Sequence, residues 1–125
     1  MLKLGTLLVL AATSVVTPAL AEAAPPLGVY ECMGQDGLTP TLMLGLLDAS
    51  TYSNYDGKTG HYSYDPHARV LTITDGPFKG FRYLRGDNPV AVTGADSLRM
   101  FDDKGQLTAF NCPHNHAKDA HKHPW

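Results

Sequence analysis

Residues 51–74 read TYSNYDGKTGHYSYDPHARVLTIT. Two turn signals, Asp56-Gly57-Lys58-Thr59-Gly60 and Asp65-Pro66-His67-Ala68, divide the run into three short segments rich in Tyr, Thr, Val and Ile, residue types that suit a pleated, half-buried surface. Pro66 stands where its fixed φ fits a type I turn. If Tyr55 faces His61 across the first turn, Asn54 faces Tyr62 and Tyr52 faces Tyr64. If Tyr64 faces Arg69 across the second, Tyr62 faces Leu71. Both hairpins then put Tyr52, Tyr62, Tyr64, Leu71 and Ile73 on one side, and Ser53, Ser63, Val70, Thr72 and Thr74 on the other. The pattern predicts an antiparallel sheet with one buried face.

The same grammar extends along the chain. Further turn signals at 34–37, 48–50, 75–77, 86–89 and 102–105 delimit about eight short strands, at 28–33, 42–47, 51–55, 61–64, 69–74, 81–85, 98–101 and 107–112. Leu and Met in 42–47 favour helix, but the shortness of the segment, Gly45 and the flanking Pro40 and Asp48 favour a strand. The only cysteines, Cys32 and Cys112, fall on the first and last strands. A disulfide between them closes a loop of about 80 residues, for which chain entropy gives about 4–5 kcal/mol. The expected fold is therefore all-β: a small antiparallel barrel of about eight strands, first stapled to last, with a flexible or short helical C-terminal tail. A two-sheet β-sandwich is the alternative.

The expected domain plan has three parts. Residues 1–21 combine Lys3, an apolar run and Pro18-Ala19-Leu20-Ala21, which reads as a cleavable secretory signal. The run is too short to span a bilayer, and no second one of that length follows. Residues 22–112 form the barrel domain and residues 113–125 the tail. Export to a periplasmic or secreted location also explains why the two cysteines would pair. Without Lys3 the chain carries nine basic and twelve acidic residues, scattered, which argues against nucleic acid or an anionic membrane as partner.

No nucleophile elbow, phosphate loop, dinucleotide fingerprint or zinc-protease helix occurs in the chain, so an enzyme is not expected. Asp102-Asp103-Lys104-Gly105 reads as a hairpin turn rather than a pair of catalytic carboxylates. His61 and His67 flank turns, where solvated polar residues are ordinary. The chemistry concentrates instead in NCPHNHAKDAHKHPW at the end, where His114, His116, His121 and His123 form two H-x-H pairs. Imidazole suits Zn, Cu and Ni, and a short His-rich tract is a compositional sign of metal binding. The expected function is a secreted or periplasmic binding protein that takes up such a metal through these four residues. The alternative is a barrel that binds a small apolar ligand or a periplasmic partner protein, in the manner of an inhibitor, with the tail incidental.

Overall fold

The computed structural model describes residues 24–34, 37–87 and 96–125. Its strands are β1 (Gly28–Tyr30), β2 (Met33–Gly34), β3 (Gly37–Leu38), β4 (Leu44–Leu46), β5 (Thr51–Asn54), β6 (Thr59–Asp65), β7 (Val70–Ile73), β8 (Arg82–Asp87), β9 (Asp96–Phe101) and β10 (Leu107–Asn115). Eight of them follow one another, all antiparallel, in the order β1-β4-β5-β6-β7-β8-β9-β10, and β10 returns to β1 through the pairs Val29↔Asn115 and Tyr30↔His114. The sheet is thus a closed barrel and not a sandwich. The small hairpin β2–β3 hangs on β10 through Asn111↔Met33.

The two expected hairpins form with corrected registers. Across the first turn Thr51 faces His61 and Tyr52 faces Gly60. The Asn54 side chain accepts the Lys58 amide, and Gly57 adopts φ 80°, so the turn takes 55–58 out of the ladder. Across the second, Tyr64 faces Leu71 and Tyr62 faces Ile73. Asp65 accepts the amides of His67 and Ala68, and Arg69 sits at φ 60° as part of the turn. Both corrections shift the register by an even number of residues, which leaves every side chain on its expected face.

That face is the interior. Tyr52, Tyr62, Leu71 and Ile73 are buried, as are Tyr30, Leu44, Leu46, Tyr83 and Leu98 from other strands, and Tyr64 packs against this cluster. The Cys32–Cys112 disulfide lies within it, fully buried. At one end of the barrel Tyr30 donates its hydroxyl to the Pro26 carbonyl. At the other end the Tyr52 hydroxyl donates to the Asp75 carbonyl and accepts the Phe78 amide. Tyr52 gets there because Gly60 has no side chain: a Cβ would meet the ring at 2.7 Å.

On the outer face Ser63 and Thr74 are exposed as expected and Thr72 is half-buried, but Ser53 is only 2% exposed. What covers it is the tail. β10 continues to Asn115, past the expected boundary at residue 112, because 113–115 complete the ladder with β1. Residues 116–125 are neither free nor helical: they fold as turns back over the outside of β4 and β5. The expected signal segment, 1–21, and residues 88–95, between the expected strands 81–85 and 98–101, lie outside the described residues. Among the described residues no helix is long and apolar enough to cross a membrane.

Leu71→Ala should lower the unfolding free energy by about 2–5 kcal/mol. Ser63→Ala, on the opposite face of the neighbouring strand, should change it by less than about 0.5 kcal/mol. Urea unfolding of both variants checks the assignment of faces, and equal losses would contradict it.

Candidate functional site

The tail reaches the barrel through a few residues that grip specific points. Glu31, just after β1, accepts a hydrogen bond from the Asn115 side chain at 2.7 Å and pairs with the Lys118 ammonium at 2.7 Å. Burial works against ionisation of Glu31, but the bonds from Lys118 and Asn115 outweigh it and hold its carboxyl below the usual range. Asn115 and Asp119 each accept an amide two residues ahead, from Ala117 and His121, which turns the chain twice. Ala120 is buried, and its carbonyl accepts the Trp125 indole N–H at 3.2 Å. The Trp125 ring lies where a side chain at position 45 would be: a Cβ on Gly45 would meet it at 2.5 Å. Gly45 and Ser53 face each other on β4 and β5, so small outward residues leave a shallow seat that the C-terminus fills.

Three of the four tail imidazoles take part in this docking. His114 Nε2 lies 2.9 Å from the Leu27 carbonyl and His121 Nε2 lies 3.1 Å from the Leu47 carbonyl. A carbonyl only accepts, so in each ring Nε2 carries the proton. His123 Nε2 lies 3.0 Å from Ser53 Oγ. That hydroxyl donates to the Asn54 carbonyl, which leaves its oxygen to accept from the imidazole. The His123 ring also stacks on Trp125 at 4.4 Å. In its neutral form each of these three rings therefore keeps a lone pair on Nδ1.

The surroundings of those lone pairs differ. His121 and His123 stand on the exposed outer surface over β4 and β5. His114 pairs with Tyr30 across β10 and β1, and its ring meets the Tyr30 ring edge-on at 5.0 Å. It rests on Gly28, where a Cβ would come within 2.6 Å of Nε2. His114 Nδ1 is buried without a hydrogen-bond partner, and the exposed His116 brings its ring to 4.3 Å from that of His114. The structure thus brings His114 and His116 together and keeps His121 and His123 apart as latches. Among the described residues no three His, Cys, Asp or Glu side chains gather where they could hold a metal ion.

Two of the remaining candidates, His61 and Asp102, have structural partners. His61 pairs through Nδ1 with the Asp75 carboxylate at 2.9 Å, a contact that draws the Asp75 carboxyl below its ordinary range. Asp102 accepts the amides of Lys104 and Gln106, and Gly105 adopts φ 75°, the expected turn. Several features had no signal in the sequence. Arg85 pairs with Asp96 at 2.8 Å across β8 and β9. Tyr30 titrates well above its usual range through burial and the nearby charge of Asp96. Tyr62 is pushed up to about 12, mainly by burial and further by Asp48, whose carbonyl accepts its hydroxyl at 2.5 Å. These phenols stay protonated at neutral pH and act as donors, not as bases.

Compared with known proteins, the chain matches no family model, no curated protein and no solved structure. The fold and the site therefore rest on their own geometry.

Two outcomes follow for the docked tail. Trp125 is the sole tryptophan, so Gly45→Ala should push it off its seat and shift its emission to the red while the far-ultraviolet spectrum keeps its β form; unchanged emission would contradict the docking. A carboxyl held low in the folded state stabilises above its unfolded pKa, and that contribution is lost as pH falls through the folded value. The tail should accordingly loosen only below the ordinary glutamate range, and Glu31→Gln should flatten this acid change in Trp125 emission.

Proposed function

We propose that this chain is an exported binding protein, periplasmic or secreted, that takes up a transition metal of the Zn, Cu or Ni class outside a barrel filled by its own side chains. One observation carries the reading: His114 is tethered through Nε2–H to the Leu27 carbonyl while its buried Nδ1 has no partner and the His116 ring stands beside it. Ligating imidazoles commonly donate their other N–H to a carbonyl or carboxylate, which fixes tautomer and ring angle. Here the barrel backbone supplies that acceptor. Two imidazoles leave coordination positions for water, so the site is open and selects by ligand type more than by geometry. The disulfide supports export, because such bonds persist in oxidising compartments.

The alternative of a ligand within the barrel is disfavoured by Tyr30, Tyr52 and Tyr83, which occupy its interior and are wholly buried. His121 and His123 belong to the same tail, but in this reading they secure it and do not ligate.

Protons compete with metal for imidazole nitrogen. Isothermal titration with Zn, Cu and Ni should show uptake near pH 7.5, as expected for imidazole ligands, and little near pH 5. His116→Ala, at an exposed position, should weaken uptake tenfold or more, whereas His121→Ala should leave it within about twofold. A chain ending after His116 keeps the pairs that close the barrel and should keep the uptake. One ending after Pro113 loses those pairs and should be destabilised. Equal uptake by the intact protein and His116→Ala would defeat the reading.

A further inference from the structure

At the opposite end of the barrel from Pro26 lies an open groove of about 410 Å³, whose walls include Phe81, Met100, Phe101 and Phe110. Its size falls within the range of small-molecule sites, which are mostly apolar with a few placed polar groups. The rings around it are ordered. Tyr52 stacks on Phe78 with 5.8 Å between centroids and 12° between planes, and Phe78 stacks on Phe81 at 5.3 Å and 24°. This file of near-parallel rings starts in the core and ends at Phe81, on the groove wall. Phe101 already carries a cation on its ring, the Arg82 guanidinium at 4.9 Å.

The polar rim is asymmetric. Asp102 has one oxygen committed to its own turn, whereas Asp103 is exposed beside it and faces solvent at the edge of the apolar wall. Lys79 also lines the groove. We propose that this groove binds a small aromatic amine. The flat ring continues the Tyr52, Phe78, Phe81 stack, and the ammonium group meets the Asp103 carboxylate. Offset stacking on Phe81 favours a planar aromatic over an aliphatic body, and the carboxylate favours a cation over an anion. The site is at a different place from the imidazole pair and does not depend on it.

The test is an NMR titration of the full mature chain, with metal absent, following the Met100 methyl and the Gly80 and Thr108 amides. Three probes separate the two elements of recognition: 1-naphthylmethylamine, 1-naphthoate and cyclohexylmethylamine. The aromatic amine should give saturable shifts confined to the groove, with each of the other two binding at least threefold more weakly. Asp103→Asn, at an exposed turn position whose side chain accepts no hydrogen bond among the described residues, should weaken the amine by about two- to fivefold, the effect of one exposed charge pair, and leave naphthoate unchanged or slightly tighter. Shifts that fail to saturate by about 10 mM, equal binding of all three probes, or an amine affinity indifferent to Asp103→Asn would each overturn the proposal.

Discussion

The structure depends on the closure of β10 onto β1. Only two Cα pairs make the join, Val29↔Asn115 and Tyr30↔His114, together with the Glu31 amide bonded to the Pro113 carbonyl. Without it β1 and β10 would each present an unpaired edge, and the core would open at the seam. The disulfide sits beside this join, tying Cys32 to Cys112 across a sequence separation of 80 residues, so a short ladder between distant segments is reinforced covalently where loop-closure entropy opposes it most.

Closure also explains why the C-terminus is ordered. Once β10 runs to Asn115, the chain leaves the barrel next to Glu31, whose carboxylate takes both Asn115 and Lys118. The remaining residues need only follow two Asx turns to bring Trp125 over Gly45. His121 and His123 are latches at two points along that path. His114 differs from the others because it belongs to the closing ladder itself: its backbone seals the barrel while its ring lies against Tyr30 with one nitrogen unpartnered. Fold and candidate chemistry therefore share a residue, so His114→Ala would also remove the tether to Leu27 and the contact with Tyr30 beside the seam, and His116 is the cleaner probe.

The barrel has two chemically distinct ends. One gathers Tyr30, Tyr62 and the Arg85–Asp96 pair near the imidazoles; the other gathers stacked aromatic rings. The interior between them is occupied by tyrosines whose hydroxyls reach backbone carbonyls at the rims, as Tyr30 and Tyr52 do. Tyr83 differs from these two: its hydroxyl is buried without a hydrogen-bond partner among the described residues, and burial holds its proton firmly. An interior of this kind favours function at the surface of the barrel, at its ends and along its tail.

The sequence by itself determined the fold class, the strand faces and the pairing of the cysteines. Alternation along TYSNY, HYSYD and VLTIT survives any even error in register, because side chains repeat every two residues, and two cysteines allow a single intramolecular bond. Tertiary structure alone decided the rest. The register depended on how Asn54 and Asp65 bind their own turns, and on Arg69 leaving the strand for a left-handed conformation. The burial of Ser53 depended on the tail, whose His123, 70 residues later, reaches the Ser53 hydroxyl, while the neighbouring Trp125 finds its seat only because Gly45 has no side chain. The division of four similar histidines into a pair and two latches depended on which barrel oxygens came within reach, Leu27 and Leu47 carbonyls and the Ser53 hydroxyl. Composition showed imidazoles in plenty, but hydrogen-bond acceptors are assigned by proximity in space, and proximity is set by the closing of the barrel.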